Sequence, residues 1–222
     1  MSSREELKSA VTNKPPLRSS ELAASVAALL AAMAFNHMAD GYIERVGEHA
    51  PVSPDLILRH LPGVDVSGLY WWGAAAFVAF ATVVALWRER PRLAYFARAY
   101  AILVFSRACL MVLTPLHIPD GAISVDAGVI HDSIGTMLTV HHDLFFSMHT
   151  ASPFLAGLLF RDRWASAVCF GFALLMAATV LLLKTHYSLD VAGAFLVTYA
   201  LYRLQRRWLE PRVRGWARGE SR

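Results

Sequence analysis

Two histidines, an aspartate and an arginine are the side chains of this sequence best suited to chemistry. His186 and Asp190 are four residues apart, so on a helix they lie on one face, about one turn from each other. The carboxylate can then hold one imidazole nitrogen and orient the other toward a substrate. With His149 as a second ring and Arg107 as a cation for phosphate, the set suits phosphoryl transfer. One ring would attack phosphorus while the other protonates the leaving oxygen.

The same residues also have structural interpretations, which the sequence leaves open. A His-x3-Asp pair at the start of a helix is commonly a local hydrogen bond. Arg107 lies inside an apolar run, where a charge is costly, and it could pair with an acidic side chain between helices. Ser147 and Thr150 are more commonly helix caps or interhelical hydrogen-bond donors than nucleophiles.

A metal site is the weaker interpretation of the remaining histidines. Adjacent histidines do not lie on one helix face, which disfavours a metal held by His141, His142 and Asp143. The two cysteines, Cys109 and Cys169, each fall inside an apolar run and indicate neither a disulfide framework nor a zinc cluster. We therefore predict no metal and no other cofactor.

The composition is that of a membrane protein. The chain is 56% hydrophobic and 17% charged, with a mean hydropathy of +0.41, whereas a soluble domain carries about 25% charged residues. Its apolar runs of about 18 to 20 residues can cross a hydrocarbon core of roughly 30 Å as helices, and they lack the alternation of barrel strands. We predict an all-α integral membrane protein with six transmembrane helices, at residues 21–38, 68–87, 93–113, 145–160, 164–183 and 186–204.

The basic residues predict the orientation of this domain. A polar tail is expected at residues 1–19, the six-helix domain at 20–207 and a basic tail at 208–222. Most of the 21 lysines and arginines lie in the tails and in two connections, 88–98 and 161–163, whereas residues 114–144 contain none. The positive-inside rule then places both termini in the cytoplasm and the nine histidines at or near the non-cytoplasmic face. The basic residues on the cytoplasmic side thus account for the net charge of +4, and no nucleic-acid partner is predicted.

Two motifs of this chain are similar to those of a known family. Residues 143–150 read DLFFSMHT and residues 186–195 read HYSLDVAGAF. Together they resemble the active-site motifs of the sphingomyelin synthase family, a branch of the lipid phosphate phosphatase superfamily. Arg107 with Thr114 and the Pro-Leu pair after it is similar to a third motif, and residues 61–65 faintly resemble a fourth. The similarity covers about residues 61–207 and agrees with six spans.

The resemblance implies a reaction and a set of site residues. His149, His186 and Asp190 match the catalytic triad of the family, with His186 as the nucleophile, Asp190 orienting it, and His149 acting as acid and later as base. The implied reaction moves a phospholipid head group, of the phosphocholine or phosphoethanolamine type, onto the hydroxyl of ceramide or a similar lipid and releases diacylglycerol. The partners are thus membrane lipids, and the expected substrate-binding residues are Arg107, Asp143, Ser147 and Tyr187.

The chain also departs from the family pattern at several positions near the head-group end. Met148 replaces a glycine, two histidines precede Asp143, and Val104 stands where a tyrosine is expected. Val180 occupies the place of an arginine that lipid phosphatases use, which disfavours a plain phosphomonoesterase. Donor head group, acceptor lipid and oligomeric state are left open by the sequence.

Two other functions stay open at this level. Water could replace the lipid acceptor, which would give a lipid phosphatase or a phospholipase C-like hydrolase. A non-enzymatic lipid-binding protein or transporter could use Arg107 and the histidines as a polar pathway, although the sequence lacks the paired broken helices of repeat-built carriers. In each case we expect a multi-pass protein of a bacterial inner membrane, or of a eukaryotic Golgi or plasma membrane.

Overall fold

The computed structural model of the chain is helical, and it describes residues 19–47, 49–125 and 145–217, with side chains up to Arg207. Within these ranges there is no strand, and the helices in chain order are α1 (Ser19–Gly47), α2 (Leu56–His60), α3 (Ser67–Arg88), α4 (Leu93–Leu113), α5 (Met148–Leu159), α6 (Arg163–Leu182) and α7 (Ser188–Ala217). A short 3-10 helix, Arg90–Arg92, joins α3 to α4. The predicted polar tail lies outside the described residues apart from Ser19, as do His141, His142 and Asp143.

The predicted all-α membrane class is confirmed at the level of its apolar helices. In the described part of the chain, four segments are long and apolar enough to cross a membrane: α1, α3, Arg90–Leu113 and α6. Helix α5 has only 12 residues, or roughly 18 Å of rise. Helix α7 has 30 residues and runs through the basic stretch, well into the segment predicted as a tail. The number of spans and the side of each terminus stay predictions.

The first helix is longer than its apolar run. We predicted a span at 21–38 and a loop from 39 to 67, but α1 continues to Gly47 and the loop contains α2. The extension remains helical because its apolar face is buried: Ala39 and Ile43 pack against Ala108 and Met111 of α4. Polar residues gave the segment the composition of a loop, but of these Arg45 is exposed, whereas Asp40 is buried and accepts a hydrogen bond from Asn36 of the same helix.

The helices pack as a bundle with one principal core. Helix α1 lies along α4, α5 packs on α6 and α7, and α3 packs on α6. One buried apolar cluster contains residues of five helices, among them Phe77, Leu103, Leu155, Cys169 and Ala194. Helix α1 is peripheral to this cluster, and its central apolar side chains are exposed, as expected for a surface in contact with lipid.

The basic connections meet at one end of the bundle. Arg88 forms an ion pair with Asp162, which also caps α6. Arg92 Nη1 donates to Glu89 Oε2 and to the carbonyl of Leu159, both at 2.9 Å. Glu89 is buried and accepts in addition from the backbone N–H of Arg161 at 3.2 Å. These contacts join the connection between α3 and α4 to the end of α5 and the start of α6.

The loops at the opposite end hold the turn between α6 and α7. The N–H of Val64 donates to the carbonyl of Leu182, and the N–H of Ile123 donates to that of Leu183, each at 2.9 Å. Lys184 follows with φ of 55°, the left-handed conformation usual after a helix end. This turn leads directly to His186, so the loops determine where that histidine lies.

A pair of glycines tests the packing of α5 against α6. A methyl group added at Gly157 would lie 2.6 Å from the ring of Phe170, whereas one added at Gly171 meets nothing within 4 Å. We expect Gly157→Ala to lower the free energy of unfolding by about 1–3 kcal/mol through overpacking. Gly171→Ala is the matched control and should be neutral or stabilising, because alanine favours a helix by about 1 kcal/mol. Thermal unfolding in detergent measures both, and equal unfolding temperatures would contradict this packing.

Candidate active site

His186 and Asp190 are brought together just before and within the first turn of α7. His186 Nδ1 lies 3.6 Å from Asp190 Oδ2, an electrostatic contact longer than a hydrogen bond. We predicted that the last span begins at His186, but the helix begins at Ser188, so His186 belongs to the turn that precedes it. Asp190 Oδ2 also accepts from the backbone N–H of Tyr187 at 2.8 Å. The aspartate thus serves both interpretations: it caps the helix start, and it faces the imidazole ring.

The second carboxylate oxygen of Asp190 is in an unusual position. Asp190 is fully buried, and its Oδ1 atom has no hydrogen-bond partner in the part of the chain that the structure describes. A buried carboxylate oxygen without a partner is costly and is concentrated at functional sites. This atom is therefore free to accept a hydrogen bond from a group that moves or binds nearby.

His149 is the second residue of α5 and lies in the same part of the bundle. The ring of Tyr70, from the first turn of α3, covers the ring of His149 with centroids 4.2 Å apart and planes tilted by 35°. His149 is also within electrostatic range of His186 and of Arg107. The three basic side chains predicted for one site are thus close enough to interact.

Arg107 is buried among α1, α4 and the segment before α5. Its side chain is 3% exposed, its Nε donates to the carbonyl of Phe146 at 2.9 Å, and its Nη1 donates to Asn36 Oδ1 at 3.0 Å. Asn36 Nδ2 in turn donates to Asp40 Oδ2 at 2.8 Å. Sequence reasoning missed Asn36 and Asp40. Their spacing of four, which places two polar side chains on one face of α1, was the signal that could have found them.

The start of α5 approaches the start of α7 closely. Gly193 allows this, because a methyl group there would lie 3.1 Å from the ring of Phe145. The N–H of Ser147 points to the carbonyl of Asp190 at 3.4 Å, and Thr150 Oγ1 lies 3.4 Å from Ser147 Oγ. Ser147 and Thr150 are both fully buried. Their contacts are those of residues that join two helix starts.

Tyr187 connects the site to the outer loops. Its hydroxyl donates to the carbonyl of His117 at 2.8 Å and accepts from the N–H of Ser53 at 3.1 Å. The side chain is buried, with 3% of its surface exposed. The hydroxyl of this predicted substrate-binding residue is therefore engaged in holding loops together, while its ring lines an adjoining groove.

Asp55 is a site residue that sequence reasoning did not single out. Its Oδ1 accepts from the N–H groups of Ile57 and Leu58 at 2.9 Å, which caps α2. Its Oδ2 accepts from the N–H of Ser188 at 2.6 Å, which caps α7. One carboxylate therefore fixes α2 against the start of the helix that carries Asp190. The Pro-Asp pair directly before an apolar stretch was the signal for this cap.

A groove of about 350 Å³ runs between α2 and the start of α7. It is lined by polar residues of the site, Asp190 among them, and by the apolar side chains Leu56, Ile57, Leu116 and Leu189. Leu56 is 75% and Leu189 66% exposed. The groove thus has an apolar rim and lies beside the start of α7, the helix that carries Asp190.

The described part of the chain contains no cluster of possible metal ligands. Within the described ranges, no three His, Cys, Asp or Glu side chains lie close enough to hold a metal ion. Cys109 and Cys169 are free thiols. The histidine pair weighed as a metal site, and Asp143 with it, falls in the segment 126–144 that lies outside the described residues.

The chain matches no family model and none of the curated proteins. Its likeness to the sphingomyelin synthase family is therefore a likeness of short motifs, and a functional proposal has to depend on the site itself.

The double cap by Asp55 predicts how stability depends on pH. Burial raises the pKa of this carboxyl, but hydrogen bonds from the N–H groups of Leu58 and Ser188, the hydroxyl of Ser188 and the N–H of Ile57 outweigh that effect and hold the pKa below its ordinary 3.8. Because the folded pKa is depressed, the ionised group stabilises the fold above pH 3.8, and this contribution is lost as the pH falls through the folded pKa.

The test compares the wild-type protein with Asp55→Asn, which resembles the protonated carboxyl. We expect the wild type to unfold at the higher temperature by a constant margin well above pH 3.8, and the margin to shrink below it. Thermal unfolding in detergent, followed by tryptophan fluorescence, measures this margin. A margin that does not change with pH would show that the Asp55 carboxylate contributes nothing through its charge.

Proposed function

We propose that the protein is an integral membrane phosphotransferase that moves a phospholipid head group onto the hydroxyl of a second lipid such as ceramide. The observation that carries this proposal is the grouping of His186, backed by Asp190, with His149 and Arg107 at one end of apolar helices. A nucleophile with an orienting carboxylate, a second imidazole and a cation are the groups that phosphoryl transfer by histidine needs.

The first half of the reaction forms a covalent intermediate. Because His186 Nδ1 faces Asp190, Nε2 is the nitrogen that attacks phosphorus of the donor phospholipid. The phosphorus–oxygen bond to diacylglycerol breaks, and its electron pair stays on the leaving oxygen. A protonated His149 donates its proton to that oxygen, so diacylglycerol leaves as the alcohol and the head group remains as phosphohistidine.

The second half reverses the roles with a new alcohol. Neutral His149 removes the proton from the acceptor hydroxyl, and the oxygen attacks phosphorus. The phosphorus–nitrogen bond breaks, its electron pair returns to His186, and the new phospholipid leaves. The positive charge of Arg107 favours the extra negative charge that develops on the phosphoryl oxygens in both steps. In this scheme atoms and charge balance without any cofactor.

The surroundings of the site favour lipids as both substrates. The groove beside Asp190 has an apolar rim on α2, which lies outside the four candidate spans, so its exposed leucine and isoleucine suit the level of the membrane interface. A hydrocarbon chain of a phospholipid that lies along this rim would place the head group toward the start of α7, beside the site. The apolar packing of Val180, which is fully buried, leaves no cation where lipid phosphatases place one.

The topology we propose has six spans, with both termini in the cytoplasm and the active site on the non-cytoplasmic side. Support comes from the separation of charge along the bundle: the arginine-rich connections meet at one end, and His186 lies at the other. Helix α5 is short for a span, but it is covered by α6 and α7 within the bundle.

A product assay tests the reaction. Purified protein in liposomes, given labelled phosphatidylcholine or phosphatidylethanolamine and ceramide, should form a new phospholipid and diacylglycerol, measured by mass spectrometry. We expect His149→Ala to lower the rate by about 10²–10⁴-fold, and His186→Ala to lower it at least as much because the nucleophile is lost. His49→Ala, which changes an exposed histidine outside the site, is the control and should leave the rate unchanged.

Two outcomes would overturn the proposal. Product formation that survives His186→Ala would rule out the covalent mechanism. Release of free phosphocholine, phosphoethanolamine or phosphate without a new lipid would instead favour the hydrolase, in which water replaces the acceptor.

Cysteine labelling tests the topology separately. After Cys109 and Cys169 are replaced by alanine, single cysteines at the exposed positions Asp120 and Arg90 mark the two ends of the bundle. We expect a membrane-impermeant maleimide to label Asp120→Cys in intact cells and to label Arg90→Cys only after permeabilisation. The opposite pattern would place the site in the cytoplasm.

A further inference from the structure

We infer that Tyr70 is the positioning residue for His149, and that its ring takes the place of the hydrogen bond that usually orients a catalytic histidine. This inference rests on the proposed function, because it assigns a role within the same site. Tyr70 lies near the start of the span predicted at residues 68–87, where aromatic residues are common at the membrane interface.

The two histidines of the site are held in different ways. His186 has a carboxylate 3.6 Å from its ring, the usual means of fixing an imidazole. His149 has no hydrogen bond to any described residue, and Tyr70 lies over its face with ring centroids 4.2 Å apart. Stacking therefore restrains the His149 ring, while neither of its nitrogens is occupied by a described group.

Tyr70 is itself firmly held, as a positioning residue must be. It is partly buried and packs on a cluster formed by Ala177 and Val180 of α6 and Val191 of α7. Trp71 meets its edge, with centroids 5.4 Å apart and planes at 85°. The ring of Tyr70 is thus fixed by three helices, so it can transmit a fixed orientation to His149 on a fourth.

The arrangement suits a group that must exchange protons with two different alcohols. A histidine tied to a carboxylate presents only one nitrogen to the site, whereas a stacked histidine presents the whole ring edge. Rotation of the His149 ring would break its contact with Tyr70, so the stack keeps the edge aimed in one direction. Removing the stacking ring should therefore slow the chemical step and leave lipid binding unchanged.

The kinetic test uses two substitutions that differ only in the ring. Tyr70→Phe keeps the stack and Tyr70→Leu removes it, while Trp72→Leu removes a neighbouring aromatic ring that is 69% exposed and serves as the control. We expect Tyr70→Leu to lower kcat by about 10²-fold with KM unchanged, the effect of a misplaced catalytic group. Tyr70→Phe and Trp72→Leu should retain most of the wild-type kcat.

A spectroscopic test does not depend on activity. In NMR spectra of protein with isotope-labelled histidine, the chemical shifts of the His149 ring protons should be displaced by the aromatic ring that lies over them. These signals are assigned by their loss in His149→Ala. The signals should move in Tyr70→Leu and stay in place in Tyr70→Phe. If Tyr70→Leu fails to fold, Tyr70→Met removes the ring while keeping most of the volume.

The outcomes separate this inference from the proposed function. If the wild type transfers no head group, the proposed function fails whatever the spectra show. If the wild type is active, the inference is overturned by an unchanged kcat in Tyr70→Leu, by equal losses in the leucine and phenylalanine variants, or by His149 signals that do not move when the ring is removed.

Discussion

The burial of one positive charge organises the part of the bundle where the site lies. Arg107 is 3% exposed in the mainly apolar second half of α4, and a guanidinium there is tolerated only when oxygen atoms surround it. Two of those oxygens are the carbonyl oxygen of Phe146 and the amide oxygen of Asn36. Satisfying the arginine thus requires α1 to lie along α4, and it requires the chain before α5 to turn back toward the bundle. His149 follows that turn by three residues and is placed by it.

A second constraint acts at the start of α7, where backbone N–H groups have no partner within the helix. Side-chain carboxylates from two directions satisfy them: Asp190 accepts from Tyr187 and Asp55 accepts from Ser188. The result is a stiff helix start with negative charge on both sides, and His186 lies immediately before it. The position of the proposed nucleophile, His186, is therefore determined mainly by the capping of α7. The contact between His186 and Asp190 adds to it.

Sequence reasoning succeeded where hydropathy alone determines structure. The span predicted at residues 93–113 has the bounds of α4, because a long apolar run with polar flanks permits only one helix. It failed where an amphipathic stretch lies beside such a run. Residues 39–47 carry enough charge to resemble a loop, yet Ile43 is 1% exposed and keeps the segment helical. Periodicity of the apolar residues would have been the better guide there than mean hydropathy.

The candidate site shows the same division. The residues with reactive side chains could be found from their types and spacing, and the structure places His149, His186, Asp190 and Arg107 within interaction distance. The residues that hold them lie far apart in the chain: Asn36 in α1, Asp55 in the loop before α2, and Tyr70 in α3. Such contacts depend on how helices pack, and a single sequence contains no measure of that packing. Asp143 lies outside the described residues, and its role stays a prediction.

The double cap by Asp55 has a thermodynamic consequence for the loop that contains α2. Two helix ends share one carboxylate, so the free energies of fixing α2 and of fixing the first turn of α7 are coupled. A molecule that bound in the groove and pushed α2 away from α7 would also remove the Asp55 carboxylate from the N–H of Ser188, and so loosen the turn before Asp190. Mutations in α2 and at the start of α7 should therefore have non-additive effects on stability, although the two helices are more than a hundred residues apart in the sequence.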